Sequence, residues 1–106
     1  MKLLWFHLMP YPDLPDDFKE KHPSVWVDID PRLFDAARGH RIYNEYIDEL
    51  EHAAELGFDG ICVNEHHANG YGLMPSPNLI AASLARRTRD AALGIRDVGR
   101  DITQHD

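Results

Sequence analysis

The chain has 106 residues and carries 18 acidic against 11 basic side chains, a formal charge of -7. That balance argues against nucleic acid or an anionic membrane as the main partner. The single cysteine, Cys62, excludes an intrachain disulfide framework and fits a reducing cytoplasm, and the length suits one small domain but falls well short of the roughly 250 residues of a complete parallel barrel.

In chain order, Lys2 to Met9 reads as a strand that is apolar on both faces apart from His7. Such a strand is expected at the centre of a parallel sheet covered by helices. The apolar run is too short to span a bilayer and is closed by Pro10, so neither a membrane span nor a targeting segment is expected. Five of the seven prolines fall between Pro10 and Pro31, which marks a long connection. Within it Ser24 to Ile29 reads as a short extended piece, and Trp26, Ile29 and Phe34 supply apolar groups that suit an ordered loop covering a site.

From about His40 to Leu56, Tyr43, Tyr46, Ile47, Leu50, Ala53 and Ala54 recur at helical spacing. Glu45, Asp48, Glu49, Glu51 and Glu55 give the opposite, solvated face. Arg41 stands near the start of this helix, against the macrodipole. Gly57 is suited to the left-handed position that ends a helix. Ile61 and Val63 then alternate with Cys62 and Asn64 in a short strand that runs into Glu65-His66-His67. Period-two alternation puts His66 on the face of Cys62 and Asn64, with Ile61 and Val63 turned toward helices. After a glycine-containing loop from Ala68 to Pro75, Ser76-Pro77 opens a second helix to about Thr88. Ala91 to Ile95 forms a third strand. The order predicts right-handed crossovers and a parallel sheet. Residues 96–106 are charged, with Val98 and Ile102 as their apolar members, and read as a separate tail after a chain that stops at its third strand.

The chemistry concentrates at the end of the second strand. Adjacent His66 and His67 point to opposite faces of a strand and lack the spacing that sets two imidazoles on one helix face, so no metal is expected. His66 is placed to act as general acid or base, or as a hydrogen-bond donor to a cofactor, and its ordinary pKa near 6.5 suits work near neutral pH. The alternative is a histidine that satisfies a loop backbone. Asn64 shares its face. Glu65 is expected to support the site by pairing with an arginine. His7 holds the equivalent late position on the first strand, either as a cofactor or substrate contact or as a core histidine bonded to a neighbour. Asn69, Tyr71 and Met74 lie on the loop where a ligand would be met. No Gly-x-Gly-x-x-Gly follows the first strand, so a dinucleotide-binding half-domain is disfavoured.

Gly57-Phe58-Asp59, the strand after it, Glu65-His66-His67, Gly72 and the entry Pro75-Ser76-Pro77-Asn78 together resemble the bacterial luciferase-like flavin-dependent monooxygenases, over Met1 to about Ile95. The opening Trp5-Phe6-His7-Leu8-Met9-Pro10-Tyr11-Pro12 and the stretch Val25 to Asp30 look like a subgroup with a long first loop. The resemblance implies the N-terminal part of a (β/α)8 TIM barrel, in a family that is usually dimeric. It also implies reduced flavin, as FMN or F420, and oxygen used to oxidise a small organic substrate, with a flavin reductase as partner. His66 maps to the active-site histidine, with Asn64 and His7 as further cofactor-side positions and Glu65 in support. Two function classes follow: a partial monooxygenase that binds no flavin tightly alone, or a non-catalytic α/β module that pairs with a partner chain.

Overall fold

The computed structural model describes residues 1–25, 29–67 and 71–97, the last two by their backbone alone. Its elements are β1 (Leu4–His7), α1 (Phe18–Lys21), a 3-10 turn (Pro31–Leu33), α2 (Ala36–Glu55), β2 (Gly60–Glu65), α3 (Pro77–Arg87) and β3 (Ala92–Asp97). The three strands form one parallel sheet in the order β1-β2-β3, so the architecture is α/β with crossover helices. Among the described residues β2 is flanked on both sides and β1 on one, where the apolar run of β1 suggested a central place. Hydropathy reports what a strand buries in its final setting, and β1 here leaves Leu4, Trp5 and Phe6 exposed.

The register sets Leu4, Gly60 and Ala92 side by side, then Trp5, Ile61 and Leu93, and so on along the strands. Two faces follow from this. Trp5, His7, Ile61, Val63 and Leu93 line one, and Leu4, Phe6, Cys62, Asn64 and Gly94 the other. The first is the helix side. There Ile61 and Val63 meet Leu50 and Ala53 of α2 and Leu84 of α3, with Met9 and Met74 closing the cluster. Complete burial of each such aliphatic side chain contributes roughly 1.5–3 kcal/mol. A second cluster of Tyr11, Ile42 and Leu73 packs near the start of α2.

α2 begins one turn earlier than its apolar periodicity indicates, because Asp35 caps it: the Asp35 carboxylate accepts the Arg38 N–H at 2.6 Å. Arg41 thus lies in the second turn, beyond the strongest part of the dipole, which explains why it is tolerated there. At the other end Gly57 takes a φ of 96°, and the N–H groups of Gly57 and Phe58 bond to the carbonyls of Ala54 and Ala53, so the chain turns straight into β2. The long first connection is not all loop, since it contains α1 and the 3-10 turn. Trp26, Val27 and Asp28 fall outside the described residues. β3 extends through Arg96 and Asp97, two residues assigned above to the tail, because parallel pairing with Asn64 and Glu65 continues that far. Residues 98–106 also fall outside the description. Among the described residues no helix is long and apolar enough to cross a membrane.

Candidate functional site at the end of the central strand

β2 delivers Asn64 and Glu65 to the C-terminal edge of the sheet, and His66 follows at once. Asn64 is completely buried, and among the described residues neither its amide nitrogen nor its carbonyl oxygen has a hydrogen-bond partner. Buried amides are almost always bonded, because stripping water from one without replacement costs roughly 1–3 kcal/mol in mutational data. An orphaned carboxamide at the end of a central strand is therefore a place where a donor and an acceptor await a partner. Beside it on the same face, Cys62 stands across from Gly94, where an added Cβ would come within 2.6 Å of the Cys62 Sγ. Glycine at 94 lets the Cys62 sulfur lie close against β3. Sequence reasoning passed over Gly94, although an isolated glycine inside a strand pattern signals such a close approach.

His66 is half-buried, with its Nε2 shielded from solvent. Its backbone N–H donates to the Met74 carbonyl at 2.9 Å, so the loop after β2 folds back on the strand end. Gly72 makes that return possible, since a Cβ there would lie 2.9 Å from the His66 Cβ and 3.3 Å from its Cγ. The same loop is joined to the segment after β1. Pro10 and Gly72 form an antiparallel bridge, the Tyr11 N–H donates to the Tyr71 carbonyl at 2.6 Å, and the Leu73 N–H donates to the Met9 carbonyl at 3.1 Å. Met9, fully buried, takes a left-handed φ of 46° to make the turn. No sequence signal marks a methionine for that conformation, which carries a cost of roughly 1–3 kcal/mol supplied by its surroundings.

His7 explains part of that support. Its Nδ1 accepts the Met9 N–H at 2.9 Å, and its Nε2 lies 2.8 Å from the Glu49 Oε2. With Nδ1 accepting, the ring proton sits on Nε2 and is donated to the carboxylate. The ring also rests against Tyr46 at 4.4 Å, and the Tyr46 hydroxyl donates to the Pro10 carbonyl at 2.7 Å. His7 thus lies on the helix face with both ring nitrogens engaged, as the core-histidine reading describes, and not on the face of Cys62 and Asn64. Burial, then the nearby Glu49 carboxylate, raises the Tyr46 pKa and keeps its hydroxyl a donor.

Glu65 pairs with His67 at 2.6 Å, both side chains being partly exposed, where an arginine had been expected. Glu65 is the last residue of β2 and His67 lies just beyond the strand, and no arginine reaches them among the contacts described. Met74 is a core residue and not a loop contact, Tyr71 is half-buried in the joined loops, and Asn69 lies outside the described residues, with Ala68 and Gly70. Among the described residues no group of three or more His, Cys, Asp or Glu side chains is arranged to hold a metal.

No family model matches the chain, and no solved structure does. Three partial likenesses to known proteins stand out. The chain is 41% identical over 59 residues, 53% of its length and 17% of the other's, to the uncharacterized protein y4wF of Sinorhizobium fredii. It is 32% identical over 71 residues to the flavin-dependent trigonelline monooxygenase, oxygenase component, of Acinetobacter baylyi, covering 67% of this chain and 19% of that one. It is 42% identical over 40 residues to the 4-hydroxyprotoasukamycin monooxygenase of Streptomyces nodosus subsp. asukaensis, covering 38% and 11%. The chain is thus distantly homologous, over part of its length, to the oxygenase component of one flavin-dependent monooxygenase and to a second monooxygenase, and it spans less than a fifth of each of the three relatives.

Proposed function

We propose that this chain is the first three-stranded part of a luciferase-like (β/α)8 flavin-dependent monooxygenase, with the end of β2 as its contribution to the active site. The distant relatives support the chemistry. The structural observation that carries it is the orphaned Asn64 amide beside His66 at the C-terminal end of a central parallel strand, the end at which parallel barrels build their active sites. A carboxamide offers one donor and one acceptor side by side, and the pyrimidine edge of a flavin presents the matching pair.

In this reading Asn64 orients the flavin ring, His66 holds or moves a proton at its shielded Nε2, and the Glu65–His67 pair steadies the strand end. Reduced FMN or F420, once bound, supplies the electrons that activate oxygen toward an organic substrate. The protein's share is to bind, orient and exclude water. Because the trigonelline relative is an oxygenase component, a separate flavin reductase is the expected source of reduced flavin. The chain alone leaves the face of Cys62 open and should bind neither reduced flavin at micromolar concentration.

The test is a graft of residues 1–95 in place of the aligned N-terminal segment of the trigonelline monooxygenase, with flavin affinity and turnover measured separately. A folded chimera should bind reduced FMN or F420, and His66→Ala in it should slow turnover more than it weakens binding. A folded chimera that binds neither flavin, or in which His66→Ala lowers both equally, would overturn the assignment.

A further inference from the structure

We infer that His7 is a positioning residue for His66 and holds it in place only while the His7 ring is neutral. What that control means for catalysis rests on the reading of His66 given above. The control itself rests on the hydrogen bonds between the two histidines, so a chain that never binds flavin still passes or fails the test below.

The path is short. His7 Nδ1 accepts the Met9 N–H at 2.9 Å. The Met9 carbonyl accepts the Leu73 N–H at 3.1 Å, and the next residue, Met74, gives its carbonyl to the His66 N–H at 2.9 Å. On the other side of Leu73, Gly72 stands against the His66 ring, too close for a Cβ. Three hydrogen bonds through Met9, Leu73 and Met74 thus tie the place of His66 to that of the His7 ring.

Met9 is the sensitive member. It is fully buried at a left-handed φ of 46°, which a residue with a side chain keeps only when its surroundings impose it. Its N–H is held by His7 and its carbonyl by Leu73, so the two bonds fix the peptide planes on either side. Loss of the first leaves a buried N–H without its acceptor and the turn without its restraint. The turn then relaxes toward negative φ and carries the carbonyl away from Leu73.

A proton on Nδ1 breaks that first bond. The ring already donates from Nε2 to the Glu49 carboxylate at 2.8 Å, so a second proton goes to Nδ1 and faces the Met9 N–H, donor against donor. Turning the ring over would take Nε2 away from Glu49. The titratable and charged groups around the ring are Glu49 and Tyr46 of α2, while Glu45, Arg38 and Tyr71 act on the Tyr46 hydroxyl. From β2 the residue paired with His7 is the apolar Val63. The Glu49 side chain is 55% exposed against 9% for His7, so solvent reaches the ring by way of the carboxylate.

Backbone amide exchange of the intact chain without flavin, followed from about pH 8 to pH 5, tests this, because an imidazole changes charge in that interval. Corrected for the intrinsic pH dependence of exchange, the Met9, Leu73 and His66 amides should lose protection together, by at least about tenfold, while the amides of β2 keep theirs. His7→Asn sets an oxygen near the place of Nδ1 that accepts but does not titrate. It should retain the protection and abolish its pH dependence, although His66 still titrates in that variant. His7→Leu should lack the protection even at pH 8, and if it fails to fold the wild-type series decides alone. Protection at the three amides that stays constant across the interval, or a pH dependence that survives in His7→Asn, overturns the inference.

Discussion

Replacing Asn64 with leucine sets stability against function at one position, and the two are expected to move in opposite directions. Leucine has the same branching and number of side-chain heavy atoms as asparagine, so it enters the same space without a polar group. The fully buried amide has both its nitrogen and its oxygen unpartnered, a penalty of roughly 1–3 kcal/mol that the substitution removes. Two methyls in place of N and O crowd the site, which returns about 1 kcal/mol at the lower end of overpacking costs. The expected result is a net gain of about 1 kcal/mol, or roughly 4–8 °C in Tm for a domain of this size. Urea unfolding followed by tryptophan fluorescence, at a concentration where the chain is monomeric, measures it. In the grafted enzyme the same variant should bind reduced flavin more weakly by roughly 1–3 kcal/mol, a factor of about 5–150. If Asn64→Leu lowers stability by 1 kcal/mol or more, the amide is bonded in the folded chain and the reasoning fails.

Other substitutions probe the supports of the site. Gly72→Ala would set a Cβ 2.9 Å from that of His66 and should cost roughly 1–3 kcal/mol, with shifted His66 ring resonances in the NMR spectrum; an unshifted ring would show that the loop does not rest on it. Gly57→Ala has open space around the new methyl, so its loss of roughly 1–2 kcal/mol should come from the φ of 96° alone; Gly57→Asn, more tolerant of that conformation, should recover part of it in the same urea series. Burial raises the pKa of both Tyr43 and Tyr46, with Glu49 adding to the second. A raised phenol pKa means the folded chain keeps its proton longer than the unfolded one, so this contribution is intact at neutral pH and is lost as pH climbs past tyrosine's ordinary value near 10. Tyrosinate absorbance should show a late phase that disappears in the Tyr43→Phe/Tyr46→Phe double variant.

The elements most legible in the sequence were those whose signal is local. The periodic apolar face of α2, the glycine stop at Gly57, the alternation of Ile61 and Val63 and the proline entry of α3 each follow from one-dimensional spacing. The cap at Asp35 escaped because the first turn of α2 carries no apolar periodicity, although an aspartate before it was visible. The place of β1 could not be read, since an apolar strand looks the same at a centre as at an exposed edge. At the site, the strand end carrying Asn64, Glu65 and His66 was legible from period-two spacing. The burial of Asn64 without partners, the engagement of His7 by Glu49 and Met9, and the pairing of Glu65 with His67 all depend on segments distant in sequence or on side-chain rotamers, which no spacing rule contains.

The antiparallel bridge between Pro10 and Gly72 has a mechanical meaning. The connections leaving β1 and β2 are latched to one another by bonds from Tyr11 to Tyr71 and from Leu73 to Met9, and the Tyr46 hydroxyl and the His7 ring pin the first of them to α2. Neither connection can swing alone without breaking backbone hydrogen bonds in a buried setting. On the β1 side the rim of the sheet is thus a hem in which the Met9, Tyr11, His66 and Leu73 amides and the Met9, Pro10, Tyr71 and Met74 carbonyls are already engaged. A molecule arriving at Asn64 from the β1 side would therefore meet these bonded groups and be read there chiefly by side chains.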